Sequence, residues 1–303
     1  MIRIITDSTS SLPPALRDSH DVQVLSLFVN RGGVEYEEST MDLDAFYADI
    51  YDMIDAIPTS SQPSLSEIGR AFEQAAEAGD DVIGLFLSSR MSGTFESAVR
   101  AARETSSRYP FFRCAVVDST TNCMELGWSV LAVAQAAAEG ADFAACVEVA
   151  RERIRCTRFI FSPESLRFLE KGGRIGKAAA LLGNALRISP ILTVKDGEAS
   201  TFAKVRTQKK ARAKMLEILE RDAGAYGLKN VAVHYIGSRE PAELWAHESI
   251  VPFVGREVAI VPASPVIGVH VGPAVGIAYE CERPIEGKFE KIEPEVVLFG
   301  SED

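Results

Sequence analysis

Short apolar runs punctuate the first half of the chain: Ile2–Thr6 (IRIIT), Val82–Leu87 (VIGLFL) and Cys114–Val117 (CAVV). Each is nearly continuous rather than alternating, which is the pattern of a strand covered by helices on both faces. Between them lie stretches whose apolar positions, rich in alanine, return to one helical face: Leu12–Asp18, Thr94–Ser107 and Met124–Glu139. Strand and helix in alternation predict βαβ units and a mostly parallel, doubly wound sheet. Asn30-Arg31-Gly32-Gly33 breaks the rhythm, its two glycines permitting the positive φ of a tight hairpin turn.

A helix over 141–155 and a strand over Thr157–Phe161 come next. The division is placed at Cys156, giving an N-terminal α/β domain over 1–156 and a C-terminal α/β domain over 157–303. In the second half, Ser162-Pro163-Glu164 reads as an N-cap with proline at the first helical position. A helix ending at Lys171-Gly172-Gly173, a helix over Ala178–Leu186, a hairpin turning at Asp196-Gly197 and a charged helix over Gln208–Arg221 follow. Strands are expected near Val231–Ile236 and Glu257–Val261. IITDSTS and AVVDSTT echo each other, but only in that both follow strands, and no solenoid-period repeat is present.

Composition narrows the function classes. The 303 residues are 47% hydrophobic and 25% charged, enough apolar content for packed cores. A net charge of −11 disfavours a nucleic-acid surface, which needs clustered Lys and Arg, and disfavours anionic membrane for the same reason. MIRIITDSTSS passes from a short apolar run straight to a polar turn, with no signal-peptide pattern, and no stretch is apolar enough to span a membrane. Five cysteines without CxxC spacing suit buried, reduced thiols, and a cytoplasmic location is expected. The four histidines are scattered, so no metal site is expected.

The candidate chemistry lies in loops. Ser88-Ser89-Arg90-Met91-Ser92-Gly93-Thr94 joins the strand VIGLFL to a helix. Free amides at that helix N-terminus, with the hydroxyls of Ser92 and Thr94 and close backbone approach at Gly93, make a cradle for a carboxylate or phosphate. The plainer alternative is that Ser92 caps its own helix. Thr59-Ser60-Ser61-Gln62-Pro63-Ser64 is a second polar turn before a helix, and Asp7-Ser8-Thr9-Ser10 and Asp118-Ser119-Thr120-Thr121 each follow a strand. Loops after strands gather at one edge of a doubly wound sheet, where ligands bind, so the four together point to a small anionic ligand.

The set TDSTSSLP, TSSQPS, LSSRMSGTFESA, VVDST, FLEKGGRIG, ISPIL and GVHVGPAVGIAY resembles the DegV family in order and spacing, from residue 2 to about residue 280. The resemblance implies a two-domain α/β fold that binds one long-chain fatty acid and is not itself a catalyst. It puts the carboxylate at Ser60, Ser92, Gly93, Thr94 and His270. The family usually has threonine where this chain has Ser60, and Thr59 stands one place earlier, so either hydroxyl is a candidate. The resemblance further implies a separate ATP-binding fatty acid kinase subunit as partner, with Arg174 and Arg206 near the phosphotransfer site or that partner. A monomer with no cofactor besides the bound fatty acid is expected. An acyl tail gains about 0.8 kcal/mol per buried methylene, so about fifteen methylenes offer on the order of 12 kcal/mol before ordering costs.

Two other readings use the same residues. A serine hydrolase could assemble Ser92 or Ser119 with His270 and Asp7 or Asp118, although Arg90-Met91-Ser92-Gly93-Thr94 is not the G-x-S-x-G elbow. A lipid carrier or sensor would use the pocket without a kinase. Lys171-Gly172-Gly173-Arg174-Ile175-Gly176-Lys177 lacks the spacing of a nucleotide loop and reads as a helix C-cap.

Overall fold

The computed structural model describes residues 1–300, without the side chains of 184–187. The last positions of the expected C-terminal domain, 301–303, and the side chains closing the expected 178–186 helix lie outside the described residues.

The first half supplies β1 (Ile2–Asp7), α1 (Pro14–Ser19), β2 (Val22–Leu25), β3 (Phe28–Arg31), β4 (Val34–Glu37), α2 (Leu43–Asp49) and β5 (Thr59–Ser61). It continues with α3 (Leu65–Ala78), β6 (Asp81–Phe86), α4 (Thr94–Arg108), β7 (Cys114–Asp118), α5 (Cys123–Ala138) and α6 (Phe143–Cys156). β7, β6, β1 and β2 lie side by side in parallel. The unbroken apolar run of β6 is explained by its two faces. Val82 and Phe86 pack with Ile68 and Phe72 of α3 and Phe95 and Ala98 of α4. Ile83 and Leu85 pack with Leu126 and Val130 of α5 and Val147 and Ile154 of α6. The sheet is doubly wound as the sequence predicts.

The second half supplies β8 (Thr157–Pro163), α7 (Arg167–Lys171), β9 (Ser189–Lys195), β10 (Glu198–Val205), α8 (Gln208–Tyr226) and β11 (Leu228–Ile236). Then come α9 (Glu240–Trp245), α10 (Val251–Val254), β12 (Ala259–Pro262), α11 (Pro265–Val271), β13 (Ala274–Cys281) and β14 (Val296–Phe299). Six of these strands form a mixed sheet in the order β10-β9-β8-β13-β11-β12.

Two segments cross between the halves. β3, β4 and β5 make a small antiparallel sheet, and Leu27, Val29, Phe46, Tyr47, Ile50 and Met53 share one core with Phe159, Phe161 and Tyr235 of the six-stranded sheet. In return, β14 pairs antiparallel with β7 at the edge of the parallel sheet. The approach to β14 is held by Lys288, a buried ammonium 2.8 Å from Glu125 on α5 and 3.0 Å from Thr157 Oγ1.

Local readings differ from the structure at three places. Ser162 and Pro163 do not cap a helix; they end β8, paired with Val275 and Ala274. Ser162 Oγ donates to the Pro190 carbonyl across the sheet, so that hydroxyl is already used. The helix that follows starts later, at Arg167, where Ser165 Oγ accepts the Arg167 amide. Residues 176–187 form a helix of the 3-10 type, starting two residues earlier than the expected helix over 178–186. Thr59–Ser61, read as part of a polar turn, is a strand pairing with Phe28, Val29 and Asn30.

Candidate functional site

A cavity of about 280 Å³ lies where the crossing sheet, the start of α4 and the six-stranded sheet meet. Each wall has a local cause. β5 is only three residues long, and strand alternation sends Ser60 inward while leaving Thr59 exposed. The turn after it is docked on α4 by Gln62, whose Nε2 donates to Ser97 Oγ at 2.7 Å. Gly93 makes this docking possible, because a Cβ there would lie 2.7 Å from Gln62 Oε1. α11 begins with Ser264 capping the Ile267 amide and ends with His270 at the cavity. The apolar wall is Leu27, Leu87, Phe159, Phe161, Leus such as Leu169, and Ile267.

The polar end is built from four segments. Ser60 Oγ lies 2.8 Å from His270 Nε2. Ser92 Oγ lies 2.9 Å from Thr94 Oγ1. α4 has Gly93 as its N-cap, and its first amide, that of Thr94, donates to Ser92 Oγ at 3.4 Å. Arg174 reaches across the rim, its Nη1 donating to the Gly172 carbonyl at 2.7 Å and its Nε to the Met91 carbonyl at 3.3 Å. Among the described residues, no acidic side chain pairs with Arg174. Burial, and then the Arg174 charge, push His270 down to about 4, so the ring is neutral near pH 7. Among the described residues, its buried Nδ1 has no partner. Gly172 is the reason the ring fits, since a Cβ there would meet Nδ1 at 2.5 Å.

Of the residues singled out in the sequence, Ser60, Ser92, Gly93, Arg174 and His270 all line the cavity. Thr94 is buried behind Ser92 and reaches the site through that hydroxyl. Arg206 lies exposed in the turn between β10 and α8 and is not part of the lining. The sequence reading missed Gln62, Met91 and Asn122. Gln62 could have been found inside the TSSQPS motif, whereas Asn122 carried no signal beyond that of a helix cap.

The geometry does not assemble a hydrolytic triad. The Ser92 hydroxyl engages Thr94, and His270 engages Ser60. Asp7 accepts from the amides of Thr9 and Leu87, both within 2.9 Å, and burial raises its carboxyl to about 6. Asp118 accepts from Thr120 and Ser89, and Ser119 Oγ donates to the Thr121 carbonyl. Each aspartate thus holds its own loop and ties it to the segment after β6. Among the described residues, Ser92 therefore has no base, and His270 has no carboxylate to orient it.

A doubly wound parallel sheet is joined to a mixed sheet, and the mostly apolar cavity between them has hydroxyls, the N-terminus of α4 and a cation at one end. The sequence model of a family described as "Uncharacterised protein, DegV family" matches residues 1–282. A DegV domain-containing protein of Clostridium acetobutylicum is 38% identical over 283 residues, covering 93% of this chain and 98% of that protein. Among solved structures, a DegV family protein of Thermus thermophilus, described by its fatty acid binding, aligns with a TM-score of 0.82 at 31% identity, covering 92% of this chain and 99% of that one. DegV of Bacillus subtilis, described as a fatty acid binding protein, aligns with a TM-score of 0.83 at 30% identity over the same shares. The chain belongs to the DegV family.

Proposed function

We propose that this protein binds one long-chain fatty acid, tail along the apolar wall and carboxylate at Ser60, Ser92, Gly93 and the first amides of α4. The observation that carries this reading is the convergence of Ser60, Ser92, Gly93, Arg174 and His270 at one end of an otherwise apolar cavity. An ionised carboxylate only accepts hydrogen bonds, and that end offers donors: two hydroxyls, helix amides and a guanidinium. Two solved relatives, at 30% and 31% identity, are described as fatty acid binding.

The same reading takes the protein as a monomeric, non-catalytic subunit that presents the carboxylate to a separate ATP-dependent kinase for acyl phosphate formation. Arg174 supports it: the guanidinium is exposed at the cavity rim and unpaired by any acid among the described residues, so it is available to an incoming phosphate. Arg206, exposed on the turn before α8, is the candidate partner contact.

Native mass spectrometry of protein purified from a bacterial host tests the binding. The expected result is one fatty acid per monomer, largely lost in Ser92→Ala. A ligand retained unchanged in that variant would refute the anchor. Adding ATP and a candidate kinase then tests the partner reading, with acyl phosphate formed on the wild-type carrier and reduced with Arg174→Ala.

A further inference from the structure

Residues 283–300 lie beyond the stretch matched by the family model, and none of them lines the cavity. The segment is nevertheless fastened at two points that both lead to the carboxylate cradle. The first is the buried Lys288, whose ammonium pairs with the buried Glu125 at 2.8 Å and also donates to the Ile154 carbonyl and to Thr157 Oγ1. The Oε2 of Glu125 accepts from Thr121 Oγ1. The second is a pair of backbone donors, the amides of Glu290 and Lys291, which donate to Asp196 Oδ1 at 2.9 and 3.1 Å. Asp196 and Gly197, with φ of 51 and 79, form the tip of the hairpin between β9 and β10.

Both points converge on Ser88, which is fully buried. Its amide donates to the Thr121 carbonyl at 2.9 Å, and its hydroxyl donates to the Gly197 carbonyl at 2.8 Å. The hairpin tip is packed so closely here that a Cβ on Gly197 would lie 2.7 Å from Ser88 Oγ. The Ser88 carbonyl in turn accepts the amides of Met91 at 2.9 Å and Ser92 at 3.2 Å. Ser88 is thus held from two sides, and the turn it closes is the one that brings Ser92 to the cavity. A hydroxyl that is already in place when a carboxylate arrives binds it without the entropy cost of ordering a loop, and its hydrogen bond weakens steeply if it is displaced.

We propose that Ser88 and Asp196 are positioning residues for the carboxylate site, and that the segment 283–300 acts through them as a clamp that holds Ser92 ready for the ligand. This rests on the fatty acid reading above and adds to it residues that line no part of the cavity.

The test measures palmitate affinity by displacement of a fluorescent fatty acid from the full chain. Ser88→Ala, Asp196→Ala and Lys288→Met are each compared with their parent, once with Ser92 present and once in Ser92→Ala. Ser88→Ala removes the bond to the hairpin and keeps the Ser88 amide and carbonyl, whereas Asp196→Ala frees the hairpin from the segment. With Ser92 present, each change should weaken palmitate about fivefold or more. In Ser92→Ala the same changes should cost less than about twofold, because the hydroxyl they position is gone. Circular dichroism checks each fold; Lys288→Met leaves Glu125 buried without its cation, and the other two variants carry the test if it misfolds. The proposal is overturned if Ser88→Ala and Asp196→Ala bind palmitate as wild type does. It is equally overturned if the losses are the same in both backgrounds, which is what a role in folding alone gives. Failure of the fatty acid reading looks different and takes this proposal with it: palmitate would then fail to bind wild type, or bind Ser92→Ala equally well, before any positioning variant is compared.

Discussion

His270 is the residue whose state decides what the polar end can do. The neutral imidazole carries one N–H. When that proton is on Nε2, it donates to Ser60 Oγ 2.8 Å away, and the Ser60 hydroxyl is then free to donate to a carboxylate. Nδ1 is left as an unpartnered acceptor where a proton can be taken up. In the free protein the ring stays neutral down to about pH 4, because burial opposes the charge. A bound carboxylate favours the charged ring and raises that value. The sign follows: between the free and bound values the complex holds more protons, so binding takes up protons and tightens as pH falls from about 6.5 towards 5. Calorimetry in two buffers of different ionisation enthalpy should show proton uptake near pH 5.5 in wild type and none in His270→Asn. Equal uptake in both would place the titrating group elsewhere. Residues of this kind are only half visible in a sequence. His270 is marked by its motif, but its neutral state comes from burial and the Arg174 charge, and the ring fits beside Ser60 because Gly172, 98 residues away in the chain, leaves room for it.

At the scale of elements, the legibility of a segment followed from how many of its faces are buried. VIGLFL is readable because α3 and α4 cover one side of β6 and α5 and α6 the other. Thr59–Ser61 is not readable, because three hydroxyl residues carry no apolar alternation and pair only where Phe28–Asn30 come alongside. β13 went unread for a related reason. Gly276 sits where a Cβ would lie 2.8 Å from the Ile160 carbonyl and from Phe161 Cβ, so that strand is chosen for closeness to β8 rather than for β propensity. The turn after β5 has its own local support. Ser64 caps α3 at the Glu67 amide, and the Glu67 carboxylate returns the bond to the Ser64 amide at 2.7 Å. Ser64→Ala should cost about 1 kcal/mol in urea unfolding. Fatty acid affinity should be unchanged, because Gln62 still pins the turn to Ser97. A large loss of affinity would mean that the cap, and not Gln62, positions Ser60.

At the scale of the whole molecule, Glu38 ties the two halves together at the site. It is buried, and burial raises its pKa above the ordinary carboxylate range, with the Ser8 bond the largest opposing influence. It accepts from Ser8 after β1 and, at 2.8 Å, from Ser264, and it also accepts from the Val266 amide at the start of α11. α11 carries His270 to the cavity, so this carboxylate links the parallel sheet to the helix that presents the imidazole. Glu38→Ala leaves two buried donors and the half-buried Ser8 hydroxyl unmet and should destabilise by on the order of 3 kcal/mol, with a weaker ligand as well. Thermal unfolding with and without fatty acid measures both. If stability falls while affinity is untouched, the link serves folding alone.

The sequence by itself determined the parallel sheet, its covering helices, the strand-to-helix turn at Ser92 and Gly93, and the family, because these depend on local periodicity and on short motifs. Only the tertiary structure decided that residues 27–55 would pack on the other half and that β14 would return to the first sheet. It alone brought Ser60 to His270 across 210 positions and left His270 Nδ1 without a partner among the described residues. The physical reason is the same in each case. Local pattern reports which face of a segment prefers to be buried, but the partner that buries it, and the polar groups left over once it is buried, are settled by packing between segments far apart in the chain.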